Sequence, residues 1–158
     1  MHCYQEAASY YQVPAIVLQA VHHVEGGKRG DRIPDPNGTF DHGFMQINTC
    51  WKPLLHEQGW TMRFVRNHDC ANIFAAAWIL RQHLNETHNL WLSVADYHSG
   101  DLAYGYPYAQ KVYRQIVLLK KSHPLQGAPL QGANPVEALE APQTVSYTTA
   151  PQNMRFLP

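Results

Sequence analysis

The 158-residue chain has no surplus of either charge: 12 Lys and Arg balance 12 Asp and Glu. Phosphate backbones are bound by clustered Lys and Arg, so this balance argues against a nucleic-acid partner. It argues equally against polybasic attachment to a membrane surface. Long apolar runs are missing as well, none approaching the roughly 18–20 residues of a membrane-spanning helix. Cysteine is scarce: Cys3, Cys50 and Cys70 form no Cys-x-x-Cys pair. The ten histidines include no His-Glu-x-x-His pair. Metal-ligand spacing is therefore absent. An odd cysteine count leaves open one disulfide with a spare thiol, or three reduced thiols. From Met1-His2-Cys3 the chain enters a polar helical segment without a leader pattern. If the protein is exported, this is expected to be the mature form behind an added start Met.

What is present suits one domain followed by a tail. The length fits a single globular unit, and 45% of the residues are hydrophobic. Near residue 122 the composition changes: residues 122–158 hold six prolines, repeated Leu-Gln-Gly-Ala stretches and only three charged residues. Such a segment buries too little apolar surface to offset the entropy of ordering it, so a flexible tail is expected there. Its near-repeat, Pro124-Leu125-Gln126-Gly127-Ala128 then Pro129-Leu130-Gln131-Gly132-Ala133, reads as a tether or as a docking segment for a partner.

Residues 1–121 read as mostly helical. Pro14 opens a helix whose Val17, Ala20, Val21 and Val24 share one face, and Gly26-Gly27 stops it. Asn37-Gly38, in a Gly- and Pro-rich stretch from Lys28 to Asn48, predicts a small β-hairpin with a tight turn. A short helix is expected at Trp51–Gly59. Asp69 is expected to cap a helix carrying Ile73, Ala76, Ala77, Leu80 and Leu84 inward. Leu90–His98 forms another, and Pro107 opens the last, with Val112, Ile116 and Leu119 inward. Helices around a small antiparallel sheet make an α+β fold.

The chemistry concentrates at Glu25. It prolongs the apolar stripe of Val17 and Val21 and lies at a helix C-terminus, where the macrodipole repels negative charge. Burial and dipole both favour the protonated carboxyl, which is what a general acid needs near neutral pH. Periodicity alone is equally served by a polar residue that merely ends an amphipathic helix. A second carboxylate, Asp41, falls on the expected hairpin, followed by Gln46 and Asn48, whose amides suit sugar hydroxyl and acetamido groups. An acid in an apolar setting beside a second carboxylate is the arrangement of glycosidic cleavage. Asp41 serves as well as a cap of the hairpin turn.

Three ordered motifs carry a resemblance: Glu25-Gly26-Gly27, Gly43-Phe44-Met45-Gln46-Ile47-Asn48 and Ala95-Asp96-Tyr97-His98-Ser99-Gly100. Tyr11-Gln12-Val13-Pro14, Asn37-Gly38-Thr39-Phe40-Asp41, Asp69-Cys70-Ala71-Asn72, Ala77-Trp78-Ile79-Leu80 and Tyr108-Ala109-Gln110-Lys111-Val112-Tyr113 support it. Over residues 3–114 the chain resembles the lytic transglycosylase (SLT, goose-type-lysozyme-like) family. It is most like the VirB1-like branch, small peptidoglycan-cleaving enzymes of secretion, conjugation and pilus systems.

The resemblance implies a lysozyme-like fold and a periplasmic enzyme that cleaves the MurNAc–GlcNAc β-1,4 bond without a cofactor. Glu25 would protonate the glycosidic oxygen and then act as base on the C6 hydroxyl of N-acetylmuramic acid, closing a 1,6-anhydro ring. Met45, Gln46 and Asn48 would line the sugar subsites, with Tyr97 beside Glu25 orienting its carboxyl. Tyr108 is assigned either to the cleft or to core packing. Gly26 stands where the family usually has Ser, and His98, a candidate substrate-binding residue, where it usually has Asn. The stretch around Asp41 also resembles the segment that carries the second carboxylate of animal-type lysozymes, so a muramidase using Glu25 and Asp41 is the alternative. A non-catalytic wall-binding module that recruits secretion components through its tail is a further one. The branch commonly pairs an N-terminal Cys with that of the Asp-x-Cys-type segment, which implies a Cys3–Cys70 disulfide and an oxidising compartment. Cys50 is then left as a packed thiol. Lipidation of Cys3 is the competing reading. Of Trp51, Trp60, Trp78 and Trp91, most are expected in the core.

Overall fold

The helix that ends in Glu25 starts with Pro14 as its N-cap and stops at Gly26, whose left-handed conformation (φ 63°) turns the chain and lets its N–H bond the His22 carbonyl at 2.8 Å. In the computed structural model, which describes residues 2–122, this helix is α2 (Ala15–Glu25) and follows α1 (Cys3–Tyr11). Val17, Ala20 and Val21 are buried as their spacing predicts, joined by Leu18. Val24 is only partly buried.

Three short strands follow: β1 (Arg32–Pro34), β2 (Phe40–His42) and β3 (Ile47–Asn48). They pair antiparallel in the order β1-β2-β3, with Ile33 opposite Asp41 and Asp41 opposite Asn48. The expected hairpin is β1–β2, and β3 extends it to three strands. Its turn differs from a two-residue Asn-Gly turn, since only Gly38 has positive φ (87°) and a type I′ turn needs two such residues. The Asn37 side chain instead accepts the Thr39 N–H at 2.9 Å, and the Asp35 N–H bonds the Thr39 carbonyl.

A 3₁₀ turn (Thr49–Trp51) leads into α3 (Lys52–Glu57), α4 (Met62–Asn67), α5 (Asp69–Thr87), α6 (Leu90–His98) and α7 (Leu102–Ser122). α4 is a helix the sequence reading lacks, and its start is marked by Thr61, whose hydroxyl accepts the Phe64 N–H. α5 is the central element. Ile73, Ala76, Ala77, Leu80 and Leu84 are buried on it, and so are Ala75, Trp78 and Ile79, so it is enclosed nearly all round. Asp69 does not cap it. Its carboxylate takes two hydrogen bonds from the Arg29 guanidinium, at 2.9 and 2.5 Å, while favouring the helix N-terminus by its charge. α6 has the expected bounds, capped by Asn89, whose Oδ1 accepts from the N–H groups of Trp91 and Leu92.

α7 corrects the reading of Pro107 as a helix start. The helix begins five residues earlier, where the Asp101 carboxylate accepts the Ala103 N–H at 2.9 Å and its carbonyl accepts that of Gly105. Pro107 is exposed within the helix, and the packing of α7 on α6 and α2 outweighs the hydrogen bond it omits.

Cys3 on α1 and Cys70 on α5 form a disulfide, Cα atoms 5.4 Å apart. The C-terminus of α1 is also held by the buried Arg81 guanidinium, which donates to the carbonyls of Tyr11 and Gln12. The expected flexible tail lies outside the described residues apart from Ser122, which belongs to α7. No helix among the described residues is long and apolar enough to cross a membrane. The result is the α+β lysozyme-like layout, helices about a small sheet.

Candidate active site

The sheet and the ends of α2 and α6 enclose a groove of about 360 Å³ that contains Glu25, Asp41, Gln46, Asn48, Tyr97 and His98 among its lining residues. Glu25 reaches it because the chain can pass tightly beside the segment after β2. A Cβ on Gly27 would lie 2.2 Å from the Gly43 carbonyl oxygen and 2.5 Å from Gln46 Nε2, so only glycine fits there. Gly43 is pressed in turn against Asn72 of α5 and has φ 71°. The buried Asn72 amide clips this segment to the core: Oδ1 accepts the Met45 N–H at 2.6 Å and Nδ2 donates to the His42 carbonyl at 3.0 Å. Gln46 sits in the left-handed region (φ 48°), a conformation non-glycine residues adopt at a cost and one that clusters at functional sites.

The Glu25 carboxyl is largely withdrawn from water, and Oε1 accepts a hydrogen bond from the Tyr108 hydroxyl at 2.5 Å. Burial pushes its pKa up to about 7, with the Asp41 charge adding to the rise. The Tyr108 hydrogen bond and the Lys111 ammonium act the other way. Desolvation dominates, as the apolar stripe of α2 suggests. Asp41 is also raised, first by burial and further by Asp35, with the Asn48 amide and His98 opposing.

The expected site residues are sorted by the structure as follows. Gln46 and Asn48 do line the groove, but their amides are engaged. Gln46 Nε2 donates to the Gly43 carbonyl at 2.7 Å. Asn48 Nδ2 lies 2.8–2.9 Å from oxygens of Asp35, Thr39 and Asp41, while its Oδ1 accepts the Cys50 N–H. Asn48 thus fixes the orientation of Asp41. Met45 is a correction: its side chain is fully buried in the core and is not among the residues that line the groove, because the turn that carries it is clipped to α5 by Asn72. Tyr97 lines the groove. Its hydroxyl donates to the Met45 carbonyl at 2.8 Å, bracing the wall of the groove, whereas the hydroxyl on Glu25 belongs to Tyr108. Tyr108, 4% exposed, is both core and site. His98 is exposed on the groove and stacks flat on the Tyr108 ring, centroids 4.5 Å apart and planes at 4°.

Other groove residues were not legible as such. Cys50 is exposed on the rim, which corrects its reading as a packed thiol; the 3₁₀ turn after β3 presents it outward. Trp51 borders the groove with His83 edge-on at 5.4 Å, while Trp60, Trp78 and Trp91 are in the core as expected. Asp96 joins them from the Ala95–Gly100 motif. The signal for these residues was their place beside recognised motifs, but neither period nor spacing separates groove from core for a residue in a short turn.

Residues 2–114 match the Transglycosylase SLT domain family. The chain is 27% identical over 120 residues to Protein IpgF of Shigella flexneri, an alignment covering 73% of this chain and 79% of that protein. A 26% identity over 123 residues links it to a "Peptidoglycan-binding-like protein" of Escherichia coli O157:H7, covering 70% of this chain and 74% of the relative. The matched span runs from α1 to the middle of α7 and takes in every element that shapes the groove. The chain belongs to the SLT transglycosylase family, whose type of function is lytic action on peptidoglycan.

Proposed function

We propose that the protein is a peptidoglycan lytic transglycosylase that cleaves the MurNAc–GlcNAc β-1,4 bond with Glu25 as its single acid and base. The observation that carries this reading is the buried Glu25 carboxyl on the groove, its pKa near 7 and its orientation held by Tyr108. Protonated, it gives its proton to the bridging oxygen as the bond breaks. The resulting carboxylate takes the proton of the C6 hydroxyl, whose oxygen attacks C1 of the same sugar, so the 1,6-anhydro ring forms without water. A pKa near the working pH suits both halves of this cycle. The Cys3–Cys70 disulfide supports action in an oxidising compartment such as the periplasm. Resemblance to enzymes of secretion and conjugation systems supports local opening of the wall for such an apparatus, with residues 122–158 as its contact.

Digestion of purified sacculi followed by mass spectrometry of the products tests the reading. Anhydromuropeptides support it, and products with reducing ends only reject it in favour of muramidase hydrolysis. That second reading has one observation behind it: Asp41 faces the same groove and is aimed by Asn48. Asp41→Asn separates the two. A transglycosylase keeps most of its rate, whereas a two-carboxylate hydrolase loses about 10²-fold or more. Wall clearing that survives Glu25→Gln would instead leave a non-catalytic wall-binding module.

A further inference from the structure

The hydroxyl that holds Glu25 is itself held in an unusual way. Gly105 of α7 packs so closely on the end of α6 that a Cβ there would lie 2.9 Å from the Ala95 carbonyl and 3.0 Å from that of Ser99. One turn further along α7, on the same face, is Tyr108, and beside it at the end of α6 is His98. The close approach sets their rings parallel, 4.5 Å apart. His98 is exposed and borders the groove, whereas Tyr108 is buried, so the imidazole covers the groove side of the tyrosine ring.

We propose that His98 is a positioning residue: its imidazole, stacked on Tyr108, fixes the hydroxyl that donates to Glu25. The inference rests on Glu25 being the acid of the proposed reaction. Without the plate, the Tyr108 ring gains freedom toward the groove, and its hydroxyl spends less time on Oε1. Burial first, and then Lys111 from α7, disfavour the His98 cation, whereas Asp41 from β2 and Asp35 from the β1–β2 turn favour it. Glu25 of α2 is reached through Tyr108.

The test is the titration of Glu25 itself, in full-length protein without substrate, followed by NMR of 13C-carboxyl-labelled glutamate and assigned with Glu25→Gln. His98→Ala is expected to raise the Glu25 midpoint, lowering its ionisation constant about threefold, because the Tyr108 hydrogen bond favours the ionised carboxyl. His98→Phe, which keeps a ring face, restores the wild-type midpoint. In a Tyr108→Phe background His98→Ala has no further effect, since the positioned hydroxyl is gone. An unchanged midpoint in His98→Ala overturns the proposal, as does an equal change with and without the Tyr108 hydroxyl. Loss of a direct sugar contact by His98 moves no titration of the free protein. Wall digestion is scored separately, so failure of the enzymatic reading is told apart from failure of this one.

Discussion

Tyr108 Oη donates to Glu25 Oε1 at 2.5 Å, joining residues 83 apart in the chain. The two meet because α7 packs along α2, and the contact opposes the burial that raises the carboxyl's pKa. Glu25 is therefore poised by two effects of opposite sign, burial being the larger, and the hydrogen bond can be removed alone.

The Glu25 carboxyl makes folding pH-dependent. Its pKa rises from 4.5 unfolded to about 7 folded, so between these values the native state holds the proton more tightly than the unfolded chain. Its contribution is neutral below pH 4.5 and becomes a penalty as pH rises, complete above pH 7, of about 3 kcal/mol at 1.36 kcal/mol per pH unit. Glu25→Gln is expected to be more stable than wild type at pH 8 and no more stable at pH 4, as read from urea midpoints. The same substitution is expected to cost at least about 10²-fold in wall-clearing rate.

Activity should fall on the alkaline side as Glu25 loses its proton, with a limb near pH 7. Tyr108→Phe removes a hydrogen bond that favours the carboxylate, so the limb should move up by about one pH unit while the maximal rate drops. A pH–rate profile on solubilised glycan strands measures both.

Adjacent glycines should behave differently. Gly27→Ala forces a methyl onto the Gly43 carbonyl and should cost about 3 kcal/mol or displace the segment after β2, with loss of activity. Gly26→Ala meets no atom within 4 Å and should cost only about 1 kcal/mol, from its positive φ. Denaturation midpoints and amide chemical shifts of residues 43–46 distinguish them.

Opening the Cys3–Cys70 bond, by reduction or by serine at both positions, should cost about 4 kcal/mol on the chain-entropy model for a separation of 67 residues. Thermal unfolding should then shift down on the order of 15 °C, while the groove, which α1 does not line, keeps its activity below the new midpoint.

Much of this molecule was legible from local chemistry. Gly26 after the apolar stripe marked the end of α2, Asn37-Gly38 the hairpin, and Leu90–His98 a helix with unchanged bounds. Glu25 stood out because helix period and macrodipole concern residues near in sequence. Readings failed where a distant partner decided the outcome. Asp69 was read as a cap, but Arg29, 40 residues away, claims its carboxylate. Met45 shared a motif with groove residues, yet its side chain fills the core, and Tyr97 lines the groove while its hydroxyl holds the Met45 backbone. Tyr108 looked equally suited to core or cleft because it serves both.

The amino-acid order thus marked most of the helices and the hairpin, and the carboxyl at the end of the apolar stripe of α2, since propensity, periodicity and capping depend on neighbours within a few residues. The close packing of α7 on α6 and α2, made possible at Gly105, selected the hydroxyl that meets that carboxyl and the ring that covers the hydroxyl. Such contacts join residues tens of positions apart, and they exist only once the core has closed.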